Sequence, residues 1–192
     1  MPYPSKTDRE TILTAAIAQI EACGIRAMSL RSLAAALGLA PNALYRYFAD
    51  RASLEAAVSA EMASRLHALL GNAAGKKAPA GAIRAIAAAY LKFARENRFL
   101  YEIFMQPCQG TPEEAAKHEQ LWLFVVEKVA SLTGPTRAPQ AAVALWAFLH
   151  GFSALDAAGV FAHGKPENGL AFGLDAWLAS AAEPSSTRLG HS

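Results

Sequence analysis

Apolar positions along this chain recur three and four residues apart and nowhere alternate with polar ones over a strand's length, so the pattern predicts helices and little or no sheet. The first stripe, Ile12, Leu13, Ala16, Ile17 and Ile20, defines a helix over about 8–23. Thr7 and Glu10 stand in capping-box spacing at its start, and Gly24 suits a left-handed cap at its end. Ser29 can cap a short second helix that turns Leu30, Leu33, Ala34 and Leu37 inward. Gly38 stops that helix, and Pro41 fits the first turn of a third, read as Pro41 to Phe48 with Leu44 and Phe48 one turn apart. From Asp50 a longer helix carries Leu54, Val58, Met62 and Leu66.

Residues 71–81 hold three glycines and a proline, and the pattern breaks there. Five more helices are expected beyond it, at about 80–96, 98–106, 112–132, 138–162 and 167–182. Thr111 and Glu114 form a second capping box around Pro112, and Gly134-Pro135 ends the helix it opens. The domain reading is an N-terminal helical unit at 1–51, a connecting helix at 52–70, a linker at 71–81, a larger C-terminal helical domain at 82–183, and a tail at 184–192, which reads as disordered. Composition strengthens the all-α reading: 53% of residues are hydrophobic and 18% charged, and alanine recurs beside leucine, the two foremost helix formers.

Charge adds little by itself. The net charge is +2, and residues 1–51 carry six basic and four acidic side chains, so a nucleic-acid partner has to be argued from placement. The two cysteines, Cys23 and Cys108, have neither zinc-finger spacing nor the pattern of a stapled secreted domain, which implies a reduced, cytoplasmic chain. The N-terminus lacks an apolar signal core, and no uninterrupted apolar stretch approaches the roughly 20 residues of a membrane span, so no membrane partner is expected.

The segment from Ser29 through Leu30, Arg31, Ser32, Leu33 and the alanines to Gly38, then Pro41-Asn-Ala-Leu-Tyr-Arg-Tyr-Phe48 and Arg51 followed by Leu54, resembles the DNA-binding region of TetR-family regulators. The likeness runs from about Thr7 to Leu66. It implies a helix-turn-helix whose third helix enters the major groove, with the first residues of that helix on base edges and flanking hydroxyls and cations on phosphates. Arg31, at the start of the second helix, suits guanine O6 and N7, Asn42 suits adenine, and Ala43 offers a methyl. Tyr45, Tyr47 and Arg51 stand where the family places its phosphate ligands, with Ser29, Lys6 and Thr7 as further contacts. Ala40 replaces the polar residue usual before the recognition helix.

The segment from Leu145 to Gly159, with Trp146, His150 and Gly151, resembles the WHG subgroup of that family, as does Asn97-Arg-Phe-Leu-Tyr-Glu-Ile-Phe104 at the entry to a second effector-domain helix. Trp146 and His150 are one turn apart on one helix face. With Tyr90, Phe93, Phe104, Leu121, Trp122 and Val125 they form an expected effector lining, apolar with few polar groups, suited to a small hydrophobic or aromatic molecule. Gly151 is expected to admit a neighbouring helix closely. Small residues on the last two helices, and the large apolar Leu155, Phe172, Leu174 and Trp177, suit a four-helix bundle between two copies, as the family resemblance implies. A homodimer on a palindromic operator, released by an effector, is the function read here.

An enzyme reading finds no paired carboxylates, no nucleophile with its base, and no phosphate-cradling glycines. His118, His150 and His163 are scattered, so neither a catalytic nor a metal site is expected, and no cofactor.

Overall fold

The computed structural model describes residues 8–108, 110–162 and 164–183, and among these it contains nine helices and no strand. They run α1 Arg9–Cys23, α2 Leu30–Ala36, α3 Pro41–Leu44, α4 Arg51–Ala74, α5 Pro79–Glu96, α6 Arg98–Phe104, α7 Pro112–Thr133, α8 Ala138–Ala157 and α9 Pro166–Ala182. Two compact units are built from alternating parts of the chain. The first takes the residues up to 68 together with 96–121, and the second takes 69–95 together with the residues from 122 onward. The expected boundary at 71–81 is therefore mostly helix: α4 continues through Gly71 to Ala74, and the break shrinks to the few residues before Pro79.

In the first unit α1 is capped by Asp8, whose carboxylate accepts from the Thr11 N–H at 2.8 Å. That bond holds the Asp8 carboxyl below its ordinary pKa. The capping box expected at Thr7 and Glu10 is thus replaced by an Asp8 cap, and Thr7, like Lys6 and the tail at 184–192, lies outside the described residues. Ile12, Ala16, Ile17 and Ile20 are buried along one face of α1, as the spacing predicts, and Leu33, Leu44, Phe48 and Leu54 are buried in the same unit. At the end of α1 the backbone of Gly24 lies close under the Phe99 ring of α6, 3.4 Å from where a Cβ would stand.

The helix-turn-helix has a well-defined local origin. Ser29 accepts from the Ser32 N–H at 3.0 Å, and Ser32 Oγ accepts from the Ser29 N–H at 3.1 Å, a reciprocal cap that starts α2. Gly38, at φ +66°, then ends it: the Leu39 N–H reaches Ala34 O at 2.9 Å and the Gly38 N–H reaches Ala35 O at 3.1 Å, the two bonds of a Schellman motif. A side chain with a Cβ is strained at that φ, which is why glycine sits in the turn. The recognition helix is shorter than expected. Regular α-helix stops at Leu44, and the Tyr47 N–H bonds three residues back to Leu44 O at 2.9 Å, a tighter winding that carries the chain to Phe48. Asp50 and Ser53 exchange caps at the start of α4.

In the second unit α8 ends at Ala157, five residues before the expected boundary, because Gly159 takes φ +74° and the Val160 N–H turns back to Leu155 O at 3.1 Å. By length and composition α8 could cross a membrane, an apolar length that the sequence reading did not credit. Against α9 the close approach is at Gly173, where a Cβ would collide with the Phe148 ring; Gly151, which was expected to play that part, faces open space. Trp177 Nε1 donates to Ala141 O at 3.1 Å, and Leu174 is buried. The Trp177 bond ties α9 to α8 within one chain. Leu155 and Phe172 are exposed, the latter 78%, together with Val143 and Val160.

Candidate nucleic-acid interface

The residues expected to touch DNA emerge from a buried base. Leu33, Leu44 and Phe48 fix α2 and α3 from inside, and the polar positions between them face outward. Arg31 and Asn42 are exposed, Tyr45 is 53% exposed, and none of the three has a hydrogen bond or ion pair among the described residues. Side chains with unspent donors on an open face are what groove reading needs. Ala43 is half-buried. Tyr47 is half-buried too, with the Arg46 guanidinium 5.9 Å from its ring centroid.

Two expected contacts carry other duties. The Ser29 hydroxyl donates to Ser32 Oγ at 3.0 Å as part of the α2 cap. Arg51 bonds Glu55 through Nε at 2.6 Å and the Ile25 carbonyl through Nη2 at 2.8 Å, so it ties the start of α4 to the loop after α1. Sequence spacing alone could not reveal that loop contact, because Ile25 lies 26 residues away. A further cation of the unit, Arg9, stacks 5.2 Å over the Phe48 ring and pairs with Glu113 at 2.7 Å.

The expected effector lining is divided. Tyr90, Phe93, Trp122, Val125, Trp146 and His150 belong to the second unit, where Tyr90 is buried and meets Trp146 edge to face at 5.2 Å. Phe104 and Leu121 belong to the first unit, and Phe104 stacks on His118 at 4.9 Å. A groove of about 710 Å³ that the sequence reading did not anticipate runs along α8 and the start of α9, lined by Phe148, Gly151, Phe152, Leu155, Val160 and Phe161 among others.

Residues 12–58 match the family described as bacterial regulatory proteins, tetR family, and residues 83–176 match the tetracyclin repressor-like C-terminal domain. An uncharacterised helix-turn-helix-type transcriptional regulator of Mycobacterium tuberculosis is 28% identical over 161 residues, which cover 82% of this chain and 73% of that protein. A structure of a protein of unknown function from Rhodococcus sp. RHA1 superposes with a TM-score of 0.82 at 24% identity, covering 95% of this chain and all of the other. A tetracycline-repressor variant from Acinetobacter baumannii in complex with minocycline has a TM-score of 0.66 at 20% identity, over 91% and 96% of the two chains.

Proposed function

Since this chain belongs to the TetR family of DNA-binding transcriptional regulators, we propose that it is a homodimeric repressor that reads a palindromic operator and leaves it when a small hydrophobic or aromatic effector binds. The observation that carries the DNA reading is the face of α2 and α3: a capped, glycine-turned pair of helices whose outward Arg31, Asn42 and Tyr45 have no hydrogen-bond or ion-pair partner among the described residues. Arg31, Asn42 and Ala43 address base edges. Tyr45 and Tyr47 address phosphates, with Lys6, Thr7, Ser29 and Arg51 as supports.

Dimerisation is assigned to α8 and α9, whose Leu155 and Phe172 are exposed, with Val160 of the connection between them, beside the 710 Å³ apolar groove. A second copy of those helices would complete a four-helix bundle. It also accounts for the apolar length of α8 without a membrane. Effector binding is assigned to the second unit around Tyr90, Trp146 and His150, in keeping with the WHG-like segment. The bound minocycline of the Acinetobacter protein is a precedent for an aromatic ligand in this fold. Release requires that effector and operator each weaken the other's binding by the same factor, typically 5- to 150-fold, or 1–3 kcal/mol.

Selection of bound fragments from the source genome tests the reading. The expected yield is one short palindrome with half-sites about one helical turn apart, or a little more. Fragments sharing no sequence would contradict it.

A further inference from the structure

The two buried polar side chains among the described residues, Ser59 and Glu114, each 2% exposed, belong to a single cluster in the first unit. Glu114 lies on the first turn of α7, and His118 follows one turn later on the same face. Cys108 lies in the stretch between α6 and α7. The Cys108 thiol, a Glu114 carboxylate oxygen and a His118 ring nitrogen all lie within 4.8 Å of one another. The imidazole is held from two sides, by Ser59 Oγ of α4 at 2.9 Å from Nε2 and by the Phe104 ring stacked at 4.9 Å and 19°.

The buried Glu114 carboxylate stands beside a thiol and an imidazole, so ligands of three chemical kinds meet at one place. A metal takes the thiol as thiolate and the imidazole as the neutral ring, so binding there releases the thiol proton.

We propose that Cys108, Glu114 and His118 form a binding site for a divalent transition-metal ion, zinc being the best match. One sulfur, one nitrogen and one oxygen ligand make a set suited to tetrahedral zinc, and a water completes the fourth position; magnesium and calcium prefer all-oxygen sites. Tetrahedral zinc sets such ligands about 3.3–3.6 Å apart, so closing the cluster takes about 1 Å of movement. Cys108, exposed and outside any helix, can supply it. Ser59 acts as the outer contact that fixes the ring of a metal-ligating histidine. The ion would fasten the stretch after α6 to α7 in the unit that also holds the reading helices. The site stands apart from the DNA-binding assignment and does not depend on it.

The test uses the full chain, reduced and stripped of metal, titrated with Zn²⁺ against a chromophoric chelator and, separately, with Co²⁺, whose thiolate charge-transfer absorption reports a sulfur ligand. One ion per chain is expected. Cys108→Ser should abolish the charge-transfer band and weaken zinc at least about 100-fold, beyond the 10- to 100-fold expected of an outer contact such as Ser59→Ala. Cys23→Ser should change neither reading. Glu114→Gln should weaken zinc while any cobalt still bound keeps the thiolate band; should it fail to fold, the exposed Cys108 still decides the question. Absence of stoichiometric binding, a band that follows Cys23, or zinc affinity unchanged in Cys108→Ser would overturn the assignment.

Discussion

At the residue scale, the structure separates side chains with outward freedom from those already committed. Arg31 and Asn42 have no hydrogen-bond or ion-pair partner among the described residues, whereas Arg51 links Glu55 to the Ile25 carbonyl. Replacing Arg51 by alanine therefore has an effect before DNA is present. Its side chain is 47% exposed, so solvent screens the pair and the loss should be modest, about 1 kcal/mol in a denaturant titration of the free protein. Unchanged stability would return Arg51 to a purely phosphate-binding role. The sequence marked Arg31 and Asn42 as outward residues because they are polar positions set in a strongly patterned motif. It hid the second duty of Arg51, since a bond to a backbone carbonyl leaves no mark in side-chain spacing. It also hid the cluster at Cys108, Glu114 and His118. The spacing of Glu114 and His118 at i, i+4 was legible, but the five residues between Cys108 and Glu114 had to fold before the thiol came alongside.

At the element scale, helix positions were readable from apolar periodicity, and helix ends were readable where a glycine or a cap forces them. Ser29 and Gly38 bound α2 as expected. The Gly159 cap that stops α8 at Ala157 was missed, because the apolar pattern continues through Val160 and Phe161. Small residues were harder to interpret, since a glycine on a helix shows only that room exists and not which neighbour uses it. Gly173 is the position that α8 approaches, through Phe148. Gly173→Ala should cost about 1–3 kcal/mol of stability by overpacking. Adding Phe148→Leu should return part of that loss, a coupling measurable in a double-mutant cycle. Additive effects of the two changes would mean that the contact does not govern how α8 meets α9.

At the scale of the whole molecule, one chain leaves Leu155, Phe172, Val143 and Val160 exposed, each of them 46% or more. A second copy is the covering assigned to the α8 and α9 part of this surface. The choice of test residue follows from the structure. Trp177 bonds to α8 inside each chain and Leu174 is buried, so charging them would damage the fold, while Phe172, 78% exposed, has little to lose in the isolated chain. Phe172→Glu should shift the sedimenting species from dimer to monomer at micromolar concentration with helicity retained. A dimer that persists unchanged would place the interface elsewhere.

The claim on which the account turns is that α2 and α3 divide their labour between bases and phosphates. It is tested most directly by equilibrium binding to the selected palindrome and to its single-base variants at two salt concentrations. Arg31→Ala should lose about 1–3 kcal/mol on the palindrome, with preference relaxed at one symmetric base position. Tyr47→Phe should weaken every sequence alike. If Arg31→Ala lowers all affinities equally and Tyr47→Phe alters base preference, the assignment of roles on this face is wrong.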